Sequence, residues 1–124
     1  MPESSRITFK EMCERFDVTP RTLRYYEYIE LLSPDRQGRA RFYGPREIAR
    51  MKLILRGRRF GFSLEEVRQW LDIYEREGSE SQYRVWIEYA DRQLDLLRAQ
   101  HQELEETIRD LKALRDETEA SLRS

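Results

Sequence analysis

Residues 8–32 read TFKEMCERFDVTPRTLRYYEYIELL, and the fold turns on how they are parsed. Thr8 stands three residues ahead of Glu11, the offset at which an N-cap hydroxyl and an N3 carboxylate satisfy each other's open backbone donors. The spacing predicts a short helix to about Arg15, with Phe9, Met12, Cys13 and Phe16 recurring at three- and four-residue steps as its buried face. Asp17-Val18 makes a turn. Thr19 then caps a second helix with Pro20 at its first position, where a missing N–H costs nothing. That helix is expected to carry the chain through Leu32, with Leu23, Tyr26, Ile29 and Leu31 on its apolar side. Two short helices joined by a tight turn, the second rich in Arg and Thr, form a helix-turn-helix pattern.

Outward from that stretch, Ser33-Pro34 ends the second helical unit and SPDRQGRARFYG follows. Gly38 sits in a polar, basic turn and Arg39 to Tyr43 can be extended, so a small β-hairpin, a wing, is expected. Pro45 starts a third helix, PREIARMKLILRGRRF, with Ile48, Met51, Leu53 and Leu55 mostly inward, and Gly61 breaks it. Ser63 and Glu66 form a second capping box, opening a fourth helix with Leu64, Val67, Leu71 and Tyr74 on one face and Gly78 at its end. Ser79 to Gln82 is a third such signal, and no Gly or Pro follows it. Beyond it Ile87, Ala90, Leu94, Leu97, His101, Leu104, Ile108 and Leu111 step alternately by three and four residues, a heptad seam. A helix from about Gln82 to Glu119 would run about 55 Å at 1.5 Å per residue. It cannot bury its own stripe, so the stripe wants a second chain. The expected fold is mainly α: a winged helix-turn-helix head over residues 1–78, then a long coiled-coil dimerisation helix over residues 79–124.

Of the 124 residues, 38% are charged and 39% hydrophobic, a low apolar fraction that fits long exposed helices. No apolar run reaches the roughly 18 residues of a membrane span, and the N-terminus lacks the apolar core of a signal peptide. The single cysteine, Cys13, excludes an intramolecular disulfide framework and fits a reducing cytoplasm. Net charge is −1, but it is unevenly spread: Val18 to Phe62 hold eleven Arg and Lys against four Asp and Glu, while Ser79 to Ser124 hold seven against eleven. A basic head and an acidic tail imply that only the head meets a polyanion.

On the second helix Thr19, Arg21, Thr22, Arg24, Tyr25 and Tyr26 are the candidate contacts. Side chains at the start of such a helix reach base edges in a major groove, where Arg suits guanine O6 and N7 and Thr can donate, accept or meet a thymine methyl. The plainer alternative is a solvated arginine face over two core tyrosines. In the wing, Arg39, Arg41 and Tyr43 alternate and so share one strand face, suited to phosphate oxygens or a groove entrance. Arg56, Arg58 and Arg59 close the third helix; they can meet phosphates, complement the helix dipole, or both. Cys13 reads as a buried structural thiol. His101, in the seam, is a tolerated polar residue, a register marker or a pH-sensitive contact. Tyr83, Trp86 and Tyr89 gather at the start of the long helix, where they can pack on the head or line an effector pocket. One Cys and one His do not make a zinc, copper or iron–sulfur site, and there is no phosphate loop, dinucleotide turn or nucleophile elbow. No metal, cofactor or catalytic activity is expected.

The stretch just quoted with Ser33-Pro34, then RARFY (39–43), then LILRGRRFGFSLEEVRQWL (53–71) and a long coil, resembles the MerR family of bacterial regulators over residues 7–76. LRYYE with a following LLSP, R-x-R-F-Y and GFSLEEV carry the likeness. The resemblance implies a winged helix-turn-helix head, a homodimer formed by antiparallel coiled-coil helices, and binding to pseudo-palindromic promoter DNA in the cytoplasm, on the nucleoid, alongside RNA polymerase. Many members activate transcription by distorting an over-long promoter spacer. It places Arg24, Tyr25 and Tyr26 at positions that meet bases or backbone, Arg41 and Tyr43 in the wing, and Arg58 at a phosphate contact. The coil cysteine and terminal-loop cysteines of metal-sensing members, and the effector domain of drug-binding members, have no counterpart here. Residues 53–74 look most like a subgroup controlling branched-chain amino-acid or acyl-CoA catabolism. The alternative is an architectural or excisionase-like DNA-binding protein, against which the long coil argues.

Overall fold

The computed structural model describes residues 5–76 and 78–123. In chain order they form β1 (Ile7–Thr8), α1 (Phe9–Phe16), α2 (Pro20–Tyr28), β2 (Asp35–Gln37), β3 (Ala40–Tyr43), α3 (Pro45–Phe60), α4 (Leu64–Glu75) and α5 (Glu80–Arg123). The fold is mainly α, a winged helix-turn-helix head with a small antiparallel sheet and a long C-terminal helix. The chain divides into one compact unit extending to Tyr83 and a second beginning at Arg84.

All three capping boxes form. Thr8 Oγ1 accepts from Glu11 N–H while the Glu11 carboxylate accepts from Thr8 N–H, and the Ser63/Glu66 and Ser79/Gln82 pairs do the same. The hairpin turns through Gly38 at φ 62°. Positive φ at the first central position alone is the II′ arrangement, whose twist suits the flanking strands. The sheet has one strand more than the hairpin: β1 pairs antiparallel with β3, Ile7 opposite Tyr43 and Thr8 opposite Phe42, giving the order β1-β3-β2. Two residues directly ahead of a helix carry no alternation by which to read a strand.

Helix α2 stops four residues short of expectation. Leu31 N–H donates to Tyr26 O at 2.9 Å and Glu30 N–H to Glu27 O at 3.0 Å, the paired bonds of a Schellman stop. The residue that must turn left-handed is Glu30, at φ 64°. A glycine there would announce the stop; a glutamate hides it. Two guanidiniums take up carbonyls just past the end: Arg50 Nε donates to Leu31 O at 2.8 Å and Arg68 donates to Ile29 O. Arg50 also pairs with Glu75 at 2.7 Å, Glu75 with Arg46 at 3.0 Å, and Arg46 with Glu47, which accepts from Ser33 N–H at 2.9 Å. Burial pushes the Glu75 carboxyl up, but the hydrogen bonds and charges of Arg50 and Arg46 outweigh it and hold it below the usual range.

The core gathers Met12, Leu23, Tyr26, Leu31, Tyr43, Met51, Ile54, Val67 and Leu71. Several expected inward residues differ. Tyr74 is 68% exposed, and Phe9, Cys13, Phe16, Leu55 and Leu64 are half-buried; Ile54, not Leu55, faces inward on α3. In α5, Ile87, Leu94, Leu97, Leu104, Ile108 and Leu111 are exposed, Ala90 is half-buried, and Leu114, 59% exposed, continues the stripe one step further. Exposed His101 lies 3.5 Å from Glu105.

Gly57 marks where α3 meets α4: a Cβ there would stand 2.7 Å from Val67 Cγ2, a buried methyl with nowhere to go. Gly57→Ala gains about 1 kcal/mol of helix propensity and costs about 1–3 kcal/mol in overpacking. A lower urea midpoint is expected. Glu30→Gly relieves the left-handed strain and should raise the midpoint by the equivalent of about 0.5–1 kcal/mol. Equal midpoints for both variants and wild type would contradict these two assignments.

Candidate nucleic-acid interface

The start of α2 is fixed locally. Thr19 Oγ1 accepts from Thr22 N–H at 3.1 Å and donates to Thr22 Oγ1 at 3.0 Å, so both threonine hydroxyls serve the cap. With Pro20 at the first position, the helical period then turns Leu23 and Tyr26 inward and Arg21, Arg24 and Tyr25 outward, Tyr25 half exposed.

Glu27, one turn further on, is the pivot. Its carboxylate is 6% exposed, accepts the Tyr43 hydroxyl, and lies 3.5 Å from Arg41 Nε and 3.9 Å from Arg36. Alternation along β3 therefore does place Arg41 and Tyr43 on one face, but that face looks at α2 rather than at solvent. Tyr43 is fully buried. Burial, then the hydrogen bond and charge of Glu27, push its hydroxyl far above the usual phenol range, so it stays a donor. Tyr26 is likewise buried and its hydroxyl is raised by burial, partly offset by nearby Arg58. Both tyrosines thus leave the set of surface contacts expected from the sequence and become parts of the frame.

The hairpin brings its own cations to the same side. Arg39 lies exposed in the turn rather than in the strand, and Arg41 is partly exposed beside Glu27. With Arg24 and Lys10 they line one shallow concavity against the Phe9 ring. The guanidiniums of Arg24 and Arg41 lie 5.5 and 5.3 Å from the centroid of that ring. Lys10 carries no periodic signal in the sequence and so is missing from the expected contacts. Phe9 fits the three- and four-residue steps of α1 and so resembles a core residue there.

The three arginines closing α3 diverge in role. Arg58 donates to Phe62 O at 2.9 Å and secures the helix stop at Gly61. Arg56 lies over the Trp70 ring at 6.0 Å, and Arg59 is exposed. Among the described residues no group of three or more His, Cys, Asp or Glu could hold a metal ion, and no helix is long and apolar enough to cross a membrane.

Comparison with known proteins agrees with this frame. The family described as MerR HTH family regulatory protein matches residues 7–78, and the one described as MerR, DNA binding matches residues 48–120. The chain is 41% identical over 66 residues to the HTH-type transcriptional regulator HmrR of Rhizobium leguminosarum bv. viciae, covering 52% of this chain and 51% of HmrR. It is 33% identical over 109 residues to an uncharacterized HTH-type transcriptional regulator of Pseudomonas aeruginosa, covering 86% of this chain and 75% of that protein. The matched part thus spans about half the length of HmrR and three quarters of the Pseudomonas protein. A crystal structure of a MerR family transcriptional regulator from Bacillus cereus superposes with a TM-score of 0.66 at 26% identity, covering 83% of this chain and 75% of that one. The chain belongs to the MerR family of helix-turn-helix regulatory proteins.

Proposed function

We propose that this protein is a non-enzymatic, sequence-specific transcriptional regulator that binds pseudo-palindromic promoter DNA as a homodimer. The observation that carries this reading is the sidedness of α2: Leu23 and Tyr26 anchor it while Arg21, Arg24 and Tyr25 stand outward beside a basic hairpin. A helix held that way offers its first turns to a major groove, and the hairpin cations offer themselves to the flanking backbone. HmrR and the Pseudomonas relative, both described as HTH-type transcriptional regulators, support it. The site set becomes Arg21 and Tyr25 for the groove, with Thr19 and Thr22 as cap, and Arg24, Arg39, Arg41 and Arg59 for phosphates; Arg58 is held on Phe62 O. Arg56, engaged with Trp70, is peripheral to it.

Dimerisation is supported by the exposed stripe from Ile87 to Leu111 on α5, apolar area that a facing helix would cover. In this reading the two helices run antiparallel, the heads meet two half-sites, and RNA polymerase is the further partner at the promoter, in the cytoplasm on the nucleoid. Within the family, residues 53–74 favour control of branched-chain amino-acid or acyl-CoA catabolic genes; that narrower reading rests on those residues alone.

Arg21→Ala should cost about 1–3 kcal/mol on the specific site and relax discrimination there. Arg39→Ala should weaken all duplexes alike and flatten the slope of log K against log salt by about 0.9 for each phosphate left without its cation. Salt-titrated anisotropy with the gene's upstream region and a scrambled duplex measures both. Equal affinity of the wild type for the two duplexes would sink the sequence-specific reading. Leu104→Lys places a charge in the stripe; sedimentation should show monomers, and specific affinity should fall sharply as each head loses its neighbour's effective concentration. A Leu104→Lys protein that remains dimeric would remove α5 from the interface.

A further inference from the structure

Lys10 of α1, Arg24 of α2, and Arg39 and Arg41 of the hairpin converge on one concavity with the Phe9 ring in its wall. Like charges on long stems gain freedom by separating into solvent. Phe9 opposes that separation. Both the Arg24 and Arg41 guanidiniums lie over its ring, at 5.5 and 5.3 Å, inside the roughly 6 Å reach of a cation–π contact. Arg41 has a second restraint in Glu27, 3.5 Å away. Arg24 pairs with no carboxylate among the described residues, so the ring is its main tether.

We infer that Phe9 is a positioning residue, which holds Arg24 and Arg41 together before binding so that the concavity takes one backbone phosphate of duplex DNA. This rests on the DNA-binding reading above. A phosphodiester presents two open oxygens and one negative charge. Two guanidiniums already ordered on a shared ring can donate to both oxygens, and the rotamer entropy is lost on folding rather than on binding. The ring itself is half-buried. Phe9 acts through the arginines, which separates its signature from that of a packing residue.

The test is a salt-titrated anisotropy series on the full chain with a duplex of unrelated sequence, where backbone contacts dominate. Phe9→Leu keeps an apolar side chain of similar size but removes the ring quadrupole. It should weaken binding at low salt about three- to tenfold and flatten the salt slope by about 0.9 per protomer. Phe9→Tyr, which keeps a ring, should restore binding to within about twofold. In an Arg24→Gln/Arg41→Gln background, Phe9→Leu should change nothing further, because the groups it positions are gone. Wild-type binding by Phe9→Leu would overturn the inference, as would an undiminished loss in the doubly substituted background. A measurement on the wild type guards against misfolded variants: the Nε–H signals of Arg24 and Arg41 should be shifted upfield by the ring current. Unshifted signals in a protein that binds duplex overturn the clamp alone. A wild type that binds no duplex overturns the functional reading and the phosphate with it.

Discussion

Glu27 puts a carboxylate inside a head whose surface is rich in arginine, and the wing is held to the helix through it. The Tyr43 hydroxyl donates to one oxygen, while Arg41 stands 3.5 Å from the other. A buried carboxylate left without these partners would cost about 3–5 kcal/mol. Strand β3 is therefore committed to α2 by chemistry as well as by packing, and β1 and β2 are committed to β3 by their ladders. Hairpin, first helix and second helix are thus tied to one another through Glu27 and the β3 ladders.

Much of the positive charge is spent internally. Arg50 and Arg68 hold the carbonyls beyond α2, Arg58 holds Phe62 O, Arg46 bridges Glu47 and Glu75, and Arg6 lies on Phe42 and pairs with Asp35. A count of arginines along the chain thus overstates the charge available to a polyanion. What faces outward near α2 is the smaller set of Arg21, Arg24, Arg39 and Lys10, with Arg41 shared between Glu27 and the Phe9 ring.

The parts of the fold legible in the sequence are those with local chemistry. Capping boxes at Thr8, Ser63 and Ser79 and the Thr19-Pro20 start announce helices because the satisfying groups lie within three residues of each other. The exposed apolar stripe on α5 is legible for a similar reason, since its period is a property of one helix. What the sequence hides depends on partners distant along the chain. The end of α2 is hidden because Glu30, not glycine, takes the left-handed turn, and Arg50 and Arg68 support that turn from 19 and 39 residues away. Tyr43 looks like a surface residue because alternation tells which residues share a face but not which face is covered. Phe9 looks like core, and its two arginine neighbours become visible only when the wing folds back over it.

The chain of ion pairs running through Glu75 also bears on how the head responds to salt. Glu75 is the last residue of α4. One of its oxygens leads through Arg50 to the Leu31 carbonyl at the foot of α2; the other leads through Arg46 and Glu47 to the Ser33 amide at the base of the hairpin. Glu75 is therefore tied at once to the end of α2 and to the base of the hairpin. Its two arms differ in exposure: the Arg50 and Glu47 side chains are buried, whereas the Arg46 side chain is 61% exposed. The arm through Arg50 is thus the drier of the two, and its ion pair is screened less by salt than those of the Arg46 arm.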